Sequence, residues 1–372
     1  MTKINTRSPY FIYHTDTNLT SAVLELYVYE GEQTTDRGSI VYTLDNLAIS
    51  EGVTFEISEL VRDYISITFD GTYNSQVVWV DYQITPYISE VAQTPETIVA
   101  LVAFDGYGYF EDGAQNQSTD INDQLVLQSN RCIYKLADNS VRVAVDANST
   151  YDVTYMSNNN VVKTESITAS NQSASRIVYI SDYFDNGIDN YEQRVLADGG
   201  TFESSICLKI LFLLEEIADV DSLIINAIEY KIETIEECKY DPYKLTFVNK
   251  FGALQDLYFF KKSELSISTS KKNYNSNTIS QGSYSISSHR NKVLSKNGSE
   301  TLKLNSGFVK EEYNEVFRQF MLSENVWIEV NNVTLPVNVK DSTLTFKTSL
   351  NDKLISYSID VEYAFDKINN VR

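Results

Sequence analysis

Proline and glycine are scarce in this chain, 5 and 14 in 372 residues, which excludes a collagen-like fibre and argues against a long disordered tract. Cysteine is scarcer still. Cys132, Cys207 and Cys238 form no Cys-x-x-Cys pair, so there is no disulfide framework, and an odd count of isolated thiols fits a reducing compartment. The two histidines, His14 and His289, have no partner at metal-binding spacing. No Gly-x-Ser-x-Gly elbow, Gly-x-Gly-x-x-Gly turn or Walker-type loop occurs. Acidic pairs abound, as they must with 51 Asp and Glu, so counting alone does not remove a glycosidase pair. With no constellation of nucleophile, base and orienting group, the sequence predicts a non-enzyme with no cofactor and no resident metal.

Long apolar runs are missing too. The most apolar run, Ile206–Leu214, is far short of the roughly 18 residues that a spanning helix needs, so no membrane insertion is expected. The opening Met-Thr-Lys-Ile-Asn-Thr-Arg-Ser-Pro-Tyr-Phe has no apolar signal core. Positive charge is short in one part of the chain. Residues 1–245 hold 14 Lys and Arg against 38 Asp and Glu, a net of −24, whereas residues 246–372 hold 16 against 13, a net of +3. Three readings fit this split: a solvated acidic surface, copies docking acidic face to basic face, or an acidic lining that repels passing DNA. A direct grip on nucleic acid by the N-terminal part is not expected, because phosphate binding needs clustered Lys and Arg.

Aromatic and β-prone residues fill the chain. It has 26 Tyr and 17 Phe, and Tyr, Thr, Ser, Val, Ile and Asn dominate, a composition of strands and turns. Residues 1–92 read as an immunoglobulin- or fibronectin-like sandwich: Leu24–Tyr29 alternates cleanly, Ser39–Leu44, Val53–Ile57 and Gln76–Ile84 follow, and Ser58–Ile65 suits a turn or two of helix. Residues 93–242 read as a second β-sandwich-like domain, with strands at Thr97–Phe104, Leu125–Leu136, Val141–Val145, Tyr151–Met156, Val161–Ile167 and Arg176–Ile180. Phe202–Leu214 fits a strand, although Ile206–Ile217 fits a helix nearly as well. The acidic turns Asp182–Asn190 and Asp112–Asp123 are candidate Ca²⁺ loops without EF-hand spacing. Phe104-Asp-Gly-Tyr-Gly-Tyr-Phe110 is either an aromatic cluster at a strand end or a sugar-stacking patch.

Residues 243–372 form the most legible unit. Tyr243–Val248 and Leu257–Lys261 read as a hairpin turning at Asn249-Lys250-Phe251-Gly252, where Gly252 accepts a positive φ. A Ser/Thr/Asn-rich stretch follows, with Lys271–Ser280 as a basic arm. Ser306–Leu322 fits a helix: Val309, Tyr313, Val316, Phe317 and Phe320 keep the helical period and Ser306 suits a cap. Strands are then expected at Asn325–Val330, Leu335–Val339, Ser342–Lys347 and Leu354–Tyr363, with turns at Asn331-Asn332 and Asn351-Asp352.

Lys239 to Lys262, with seven Phe and Tyr in 24 residues, is the most distinctive segment. Its Pro-Tyr-Lys-Leu-Thr-Phe strand, its Asn-Lys-Phe-Gly-Ala-Leu-Gln-Asp-Leu turn and its aromatic run before Lys-Lys resemble virion structural proteins of tailed bacteriophages. The likeness is to tail, ring and baseplate-type proteins of phages infecting Bacteroidetes, crAss-like phages among them. Ile228–Cys238, Leu335-Pro-Val-Asn-Val-Lys and Leu350-Asn-Asp-Lys-Leu share in it, so it covers roughly residues 228–366. The alternation and turns read above predict an all-β, mainly antiparallel chain of two β-sandwich-like domains and a β-rich module with one helix at 306–322, and the resemblance implies that this last module is tail-tube-like. It further implies a virion component made in the host bacterial cytoplasm. Expected partners are copies of itself, in a closed ring of roughly six or twelve, and portal, tail or baseplate proteins, with DNA passing through without a specific grip. The expected assembly residues are Tyr243, Phe247, Phe251, Gly252, Tyr258, Phe259, Phe260, Lys261 and Lys262 of the hairpin, with Lys271 and Lys272 of the arm. The alternative is a carbohydrate-binding or adhesin-type surface protein built from the same sandwiches.

Overall fold

Residues 2–30, 36–73, 77–114, 125–136, 140–146, 149–169, 177–181, 220–279, 281–346 and 354–368 are described by a computed structural model. They form an all-β, mainly antiparallel chain with two short α-helices among the described residues. The first sheet has a central path β1-β8-β6-β3-β4, with the short β7 (Val91–Ala92) added to β6. Its members are β1 (Thr2–Asn5), β3 (Leu19–Tyr29), β4 (Tyr42–Leu47), β6 (Val77–Ile88) and β8 (Val99–Phe104). A separate pair, β2 (Phe11–Thr15) with β5 (Gly52–Glu56), and helix α1 (Ser58–Arg62) complete the layer. Strict alternation in β3 sends Ala22, Leu24, Leu26 and Val28 into one core with Ile12, Phe55, Val61, Val80 and Leu101.

The expected boundary after residue 92 does not fall there. Strand β1 pairs in parallel with β8, Thr2 opposite Leu101 through Asn5 opposite Phe104. Residues up to Phe104 thus belong to the first sheet, a long-range pairing that no local pattern announces.

The second core lies between a five-stranded sheet, order β12-β11-β14-β15-β9, and the pair β10-β13. These strands are β9 (Cys132–Leu136), β10 (Arg142–Asp146), β11 (Ser149–Ser157), β12 (Asn160–Ala169), β13 (Ile177–Ser181), β14 (Ser222–Ile225) and β15 (Ile228–Ile235). Tyr151, Val153 and Tyr155 alternate inward from β11 and meet Val143, Val145, Ile180, Leu223 and Ile225. Strand β9 begins at Cys132, so the expected Leu125–Leu136 run is strand only in its second half. Phe202–Leu214 and Asp182–Asn190 lie outside the described residues, as does most of Asp112–Asp123.

A seven-stranded sheet follows, order β17-β16-β21-β22-β24-β19-β18. It is built from β16 (Tyr243–Val248), β17 (Leu254–Phe259), β18 (Glu264–Asn275), β19 (Asn291–Asn305), β21 (Val326–Val330), β22 (Val333–Val339) and β24 (Ser358–Tyr363). The short β20 (Val309–Lys310) pairs β23 (Leu354–Ile355). The β21–β22 turn sits where expected, with Asn331 and Asn332 at φ +51° and +61°, the left-handed pair of a two-residue hairpin loop. Residues 342–346 are not strand.

The helix expected over 306–322 starts seven residues late, as α2 (Tyr313–Leu322). Gly307 takes φ +72°, which breaks a helix, and the Ser306 hydroxyl donates to the Gly307 carbonyl and accepts from the Tyr357 N–H instead of capping. The periodic residues are nonetheless buried, Tyr313, Val316, Phe317 and Phe320 on the helix and Val309 on β20.

The chain groups into two compact units. The first is Met1–Glu236 with Thr246–Leu257 and Glu312–Ser323; the second is Glu237–Leu245, Tyr258–Glu311 and Glu324–Arg372. Both sandwich-like cores, the turn of the β16–β17 hairpin and α2 therefore fall together, where three successive domains were expected, the last containing the helix. By sequence count the first unit carries 14 Lys and Arg against 39 Asp and Glu, a net of −25, and the second 16 against 12, a net of +4.

Candidate interaction surfaces

The hairpin expected to face other subunits is turned into its own chain. Phe247 and Phe259 are fully buried, and Phe251, Tyr258 and Phe260 nearly so. Within the first unit, Phe247 meets the Phe320 ring edge-on at 5.5 Å. Gly252 sits at φ +77°, where an added Cβ would lie 3.0 Å from the Phe104 Cβ and 3.1 Å from the Asp105 nitrogen. Within the second unit, Phe260 packs so closely over Gly307 that a Cβ there would overlap its ring. Of the hairpin's candidate residues, Tyr243 is half-buried and Lys261 and Lys262 reach the surface. Aromatic rings suit a core as well as an interface, and the tertiary fold spends these on the core.

Asn249 holds the hairpin turn. Its side-chain amide donates to the Leu127 carbonyl (2.9 Å) and the Gln255 side-chain oxygen (3.1 Å). Its carbonyl oxygen accepts from the N–H groups of Phe251 (2.9 Å) and Ala253 (3.1 Å). The Lys250 carbonyl accepts from the Tyr107 N–H, and its N–H donates to Gln319 of α2. Gln255 reaches Asn130, and the Leu254 N–H donates to the Tyr179 hydroxyl. Both sandwich-like cores and α2 thus converge on one buried turn whose polar groups are matched. Nearby, Lys3 of β1 and Asp146 of β10 form a buried ion pair at 2.8 Å.

The basic candidates behave differently. Lys261 pairs with Glu237, and that hydrogen bond, with a further one from the Lys239 N–H, holds the Glu237 carboxyl below its usual range. Lys262 pairs with Glu264 at 2.7 Å in the open. Lys271 and Lys272 are exposed on β18.

Strands β18 and β19 make the exposed feature of the second unit. They pair from Glu264 opposite Lys303 to Asn275 opposite Asn291. The next strand, β24, covers β19 only over Thr301–Asn305. Segment 366–368 touches β19 at Asn297, Gly298 and Glu300. From Lys296 outward, among the described residues, the ribbon hydrogen-bonds only to itself and its loop. That leaves about 20 Å of bare two-stranded ribbon at the usual strand rise. Every residue of β18 is exposed. Leu265, Ile267, Val293 and Leu294 lie in water, as do Ile279, Tyr284 and Ile286 of the loop, Ile286 at 97% exposure. A lone two-stranded hairpin is marginal in water, and these side chains gain nothing from this chain's own core. The stretch 268–299 holds five Lys and Arg and no Asp or Glu. The sequence located the basic residues of this arm, but its length and apolar exposure rest on knowing where β24 stops.

The aromatic patch Phe104–Phe110 divides. Phe104 and Tyr107 are buried, Phe110 is fully exposed, and Tyr109 lines an open groove of about 790 Å³ with Tyr230, Phe251, Lys250, Arg131 and Glu315. The Tyr109 hydroxyl donates to Glu315 at 2.7 Å, and burial together with that hydrogen bond pushes its pKa far up. Lys250 and Arg318 already approach its ring at 5.0 and 5.7 Å, while Tyr230 and Phe251 are buried, so the groove offers little bare ring for a sugar. Among the described residues, no group of three or more His, Cys, Asp or Glu is placed to hold a metal, and no helix is long and apolar enough to cross a membrane. His14 pairs with Glu96 at 3.0 Å and His289 is exposed.

No family model and no curated protein matches the chain. Among solved structures it is similar to CBD12 from CALX1.2, at 10% identity over 48% of this chain and 75% of that one, with a TM-score of 0.15. A superposition that loose supports neither fold nor function.

Proposed function

We propose that this protein is a non-enzymatic structural subunit that assembles with copies of itself, and that the assembly is a ring or tube segment of a tailed-phage particle. One observation carries the assembly reading: a bare ribbon, unsupported on both edges beyond Lys296 among the described residues, holds apolar and basic side chains in water. A partner that covers it would bury that apolar area and satisfy its free backbone edges. The phage setting is supported by the resemblance of residues 228–366 to virion proteins, with tail, neck and baseplate positions as its range. In that setting the N-terminal sandwiches decorate or connect, the protein resides in the virion, and DNA passes without specific contact.

Negative-stain electron microscopy with light scattering tests this on the purified chain. Rings or short tubes support it. A monomer at every concentration, including in the presence of a candidate template protein, contradicts it. The carbohydrate-binding alternative draws on exposed Phe110, and a glycan array that retains the protein would favour it.

A further inference from the structure

The second unit's ribbon and the first unit's N-terminal sandwich have opposite surfaces. Residues 1–104, which build that sandwich, hold 14 Asp and Glu against four cations, Lys3, Arg7, Arg37 and Arg62. Three of the four face acids already, Lys3 on Asp146, Arg37 on Asp81 and Arg62 on Asp105 at 3.8 Å. The sandwich therefore keeps an excess of acidic charge.

One end of this sandwich combines that charge with exposed apolar side chains. Strands β4, β3 and β6 end there together: Ser21 lies opposite Leu47 and Tyr87, and Ile88 pairs Val91 of β7. The β4–β5 turn at Glu51 bonds to the turn that precedes β3, its carbonyl accepting from the Asp16 N–H and its carboxylate from the Asn18 N–H. Leu47, Ile49 and Val91 stand in water at 80%, 83% and 62% exposure, beside exposed Asp16, Asp45, Glu51 and Glu90. Strand β4 is an edge of its sheet, paired only with β3 among the described residues. The ribbon is the complement: Ile267, Val293 and Leu294 exposed among Lys271, Lys272, Lys292 and Lys296, with no acid between 268 and 299.

We propose that the β18–β19 ribbon of one copy docks on the β4-edge end of the N-terminal sandwich of a second copy, its lysines facing Asp16, Asp45 and Glu90 and its apolar residues covering Leu47, Ile49 and Val91. This rests on the self-assembly reading above and names its contact. The interface is head-to-tail, so each copy keeps a free ribbon and a free acceptor, and the association closes into a ring or grows as a filament. Nucleic acid is a weaker occupant for the ribbon, because phosphate gives Ile267, Ile286 and Leu294 nothing to bury against, whereas the acidic end offers apolar partners.

A charge swap on the full-length chain tests it. One variant carries Lys271→Glu, Lys272→Glu, Lys292→Glu and Lys296→Glu; the other carries Asp16→Lys, Asp45→Lys and Glu90→Lys. All seven positions are exposed, and circular dichroism melts check that both variants fold as the parent does. Sedimentation velocity reads the mass. The parent is expected to self-associate, more weakly as salt rises. Each variant alone is expected to associate at least tenfold more weakly, and an equal mixture to regain parent-like assemblies, since each reversed ribbon then meets a reversed acceptor. If the parent assembles and both variants still assemble alone, or the mixture stays apart, this contact is wrong while self-assembly stands. A parent that never assembles overturns both readings. If ribbon reversal abolishes a gel shift with double-stranded DNA and leaves self-association intact, the ribbon is a nucleic-acid contact and the proposal fails.

Discussion

Two consecutive hairpins of this chain have opposite fates. The β16–β17 hairpin, Tyr243–Phe259, carries the aromatic residues, and its turn is buried with its polar groups matched through Asn249. The β18–β19 hairpin begins five residues later, carries the lysines, and among the described residues leaves its outer part bonded only to itself and its loop. Both are antiparallel pairs of ordinary strands. What separates them is whether the surrounding chain supplies partners. A hairpin with partners in its own chain stabilises the fold; one without them is free to bind something else.

Three perturbations should break or sharpen that contrast. The largest effect is expected from Asn249→Ala, which removes four buried hydrogen bonds and strands the Leu127 carbonyl and the Phe251 and Ala253 N–H groups. It should cost roughly 3–5 kcal/mol of stability, at about 1–3 kcal/mol for an unsatisfied buried group less what relaxation recovers, measured by urea denaturation. A loss under about 1 kcal/mol would mean that the turn is not what joins the two cores.

An intermediate effect is expected at alkaline pH. Burial raises the pKa of Tyr73 well above its ordinary value, with Asp256 adding to the shift, and burial raises that of Tyr313 likewise. The folded state then keeps protons that the unfolded chain releases near pH 10, so this stability is full below about pH 10 and is lost as pH rises above it. Thermal melts from pH 8 to 11 should show a falling alkaline limb, and Tyr73→Phe or Tyr313→Phe should make that limb shallower. A limb of unchanged slope in both variants would remove these tyrosines as its cause.

The smallest effect on the fold is expected at the ribbon. Ile267→Ser with Leu294→Ser removes exposed side chains, so stability should move by no more than about 0.5 kcal/mol. Self-association should nonetheless weaken, read as the concentration dependence of scattered mass. A large drop in stability would show that the ribbon belongs to the core after all.

The sequence made local structure readable and long-range partnership much less so. Alternation in Leu24–Tyr29, the Asn331-Asn332 turn and the positive φ at Gly252 are dictated within a few residues, and the structure places them as read. The β1–β8 pairing joins residues nearly a hundred positions apart and moved the first boundary. The helical period from Val309 marked the correct buried residues, yet Gly307 and the Ser306–Tyr357 bonds delayed the helix. Phe247, Phe251 and Phe260 illustrate the limit for the site. Ring chemistry calls for burial but does not say against which chain, and here it is their own. The basic arm was legible because lysines on a strand face solvent in almost any fold.

The division of labour between the two hairpins is tested most directly by removing the ribbon alone. Residues 270–297 can be replaced by Asn-Gly, joining Thr269 to the Gly298 that faces it in the parent register. Thermal melting and negative-stain images would then be compared with the parent. The account predicts a melting temperature within a few degrees of the parent and a complete loss of rings or tubes. Assemblies that persist without the ribbon, or a chain that no longer folds, would contradict it.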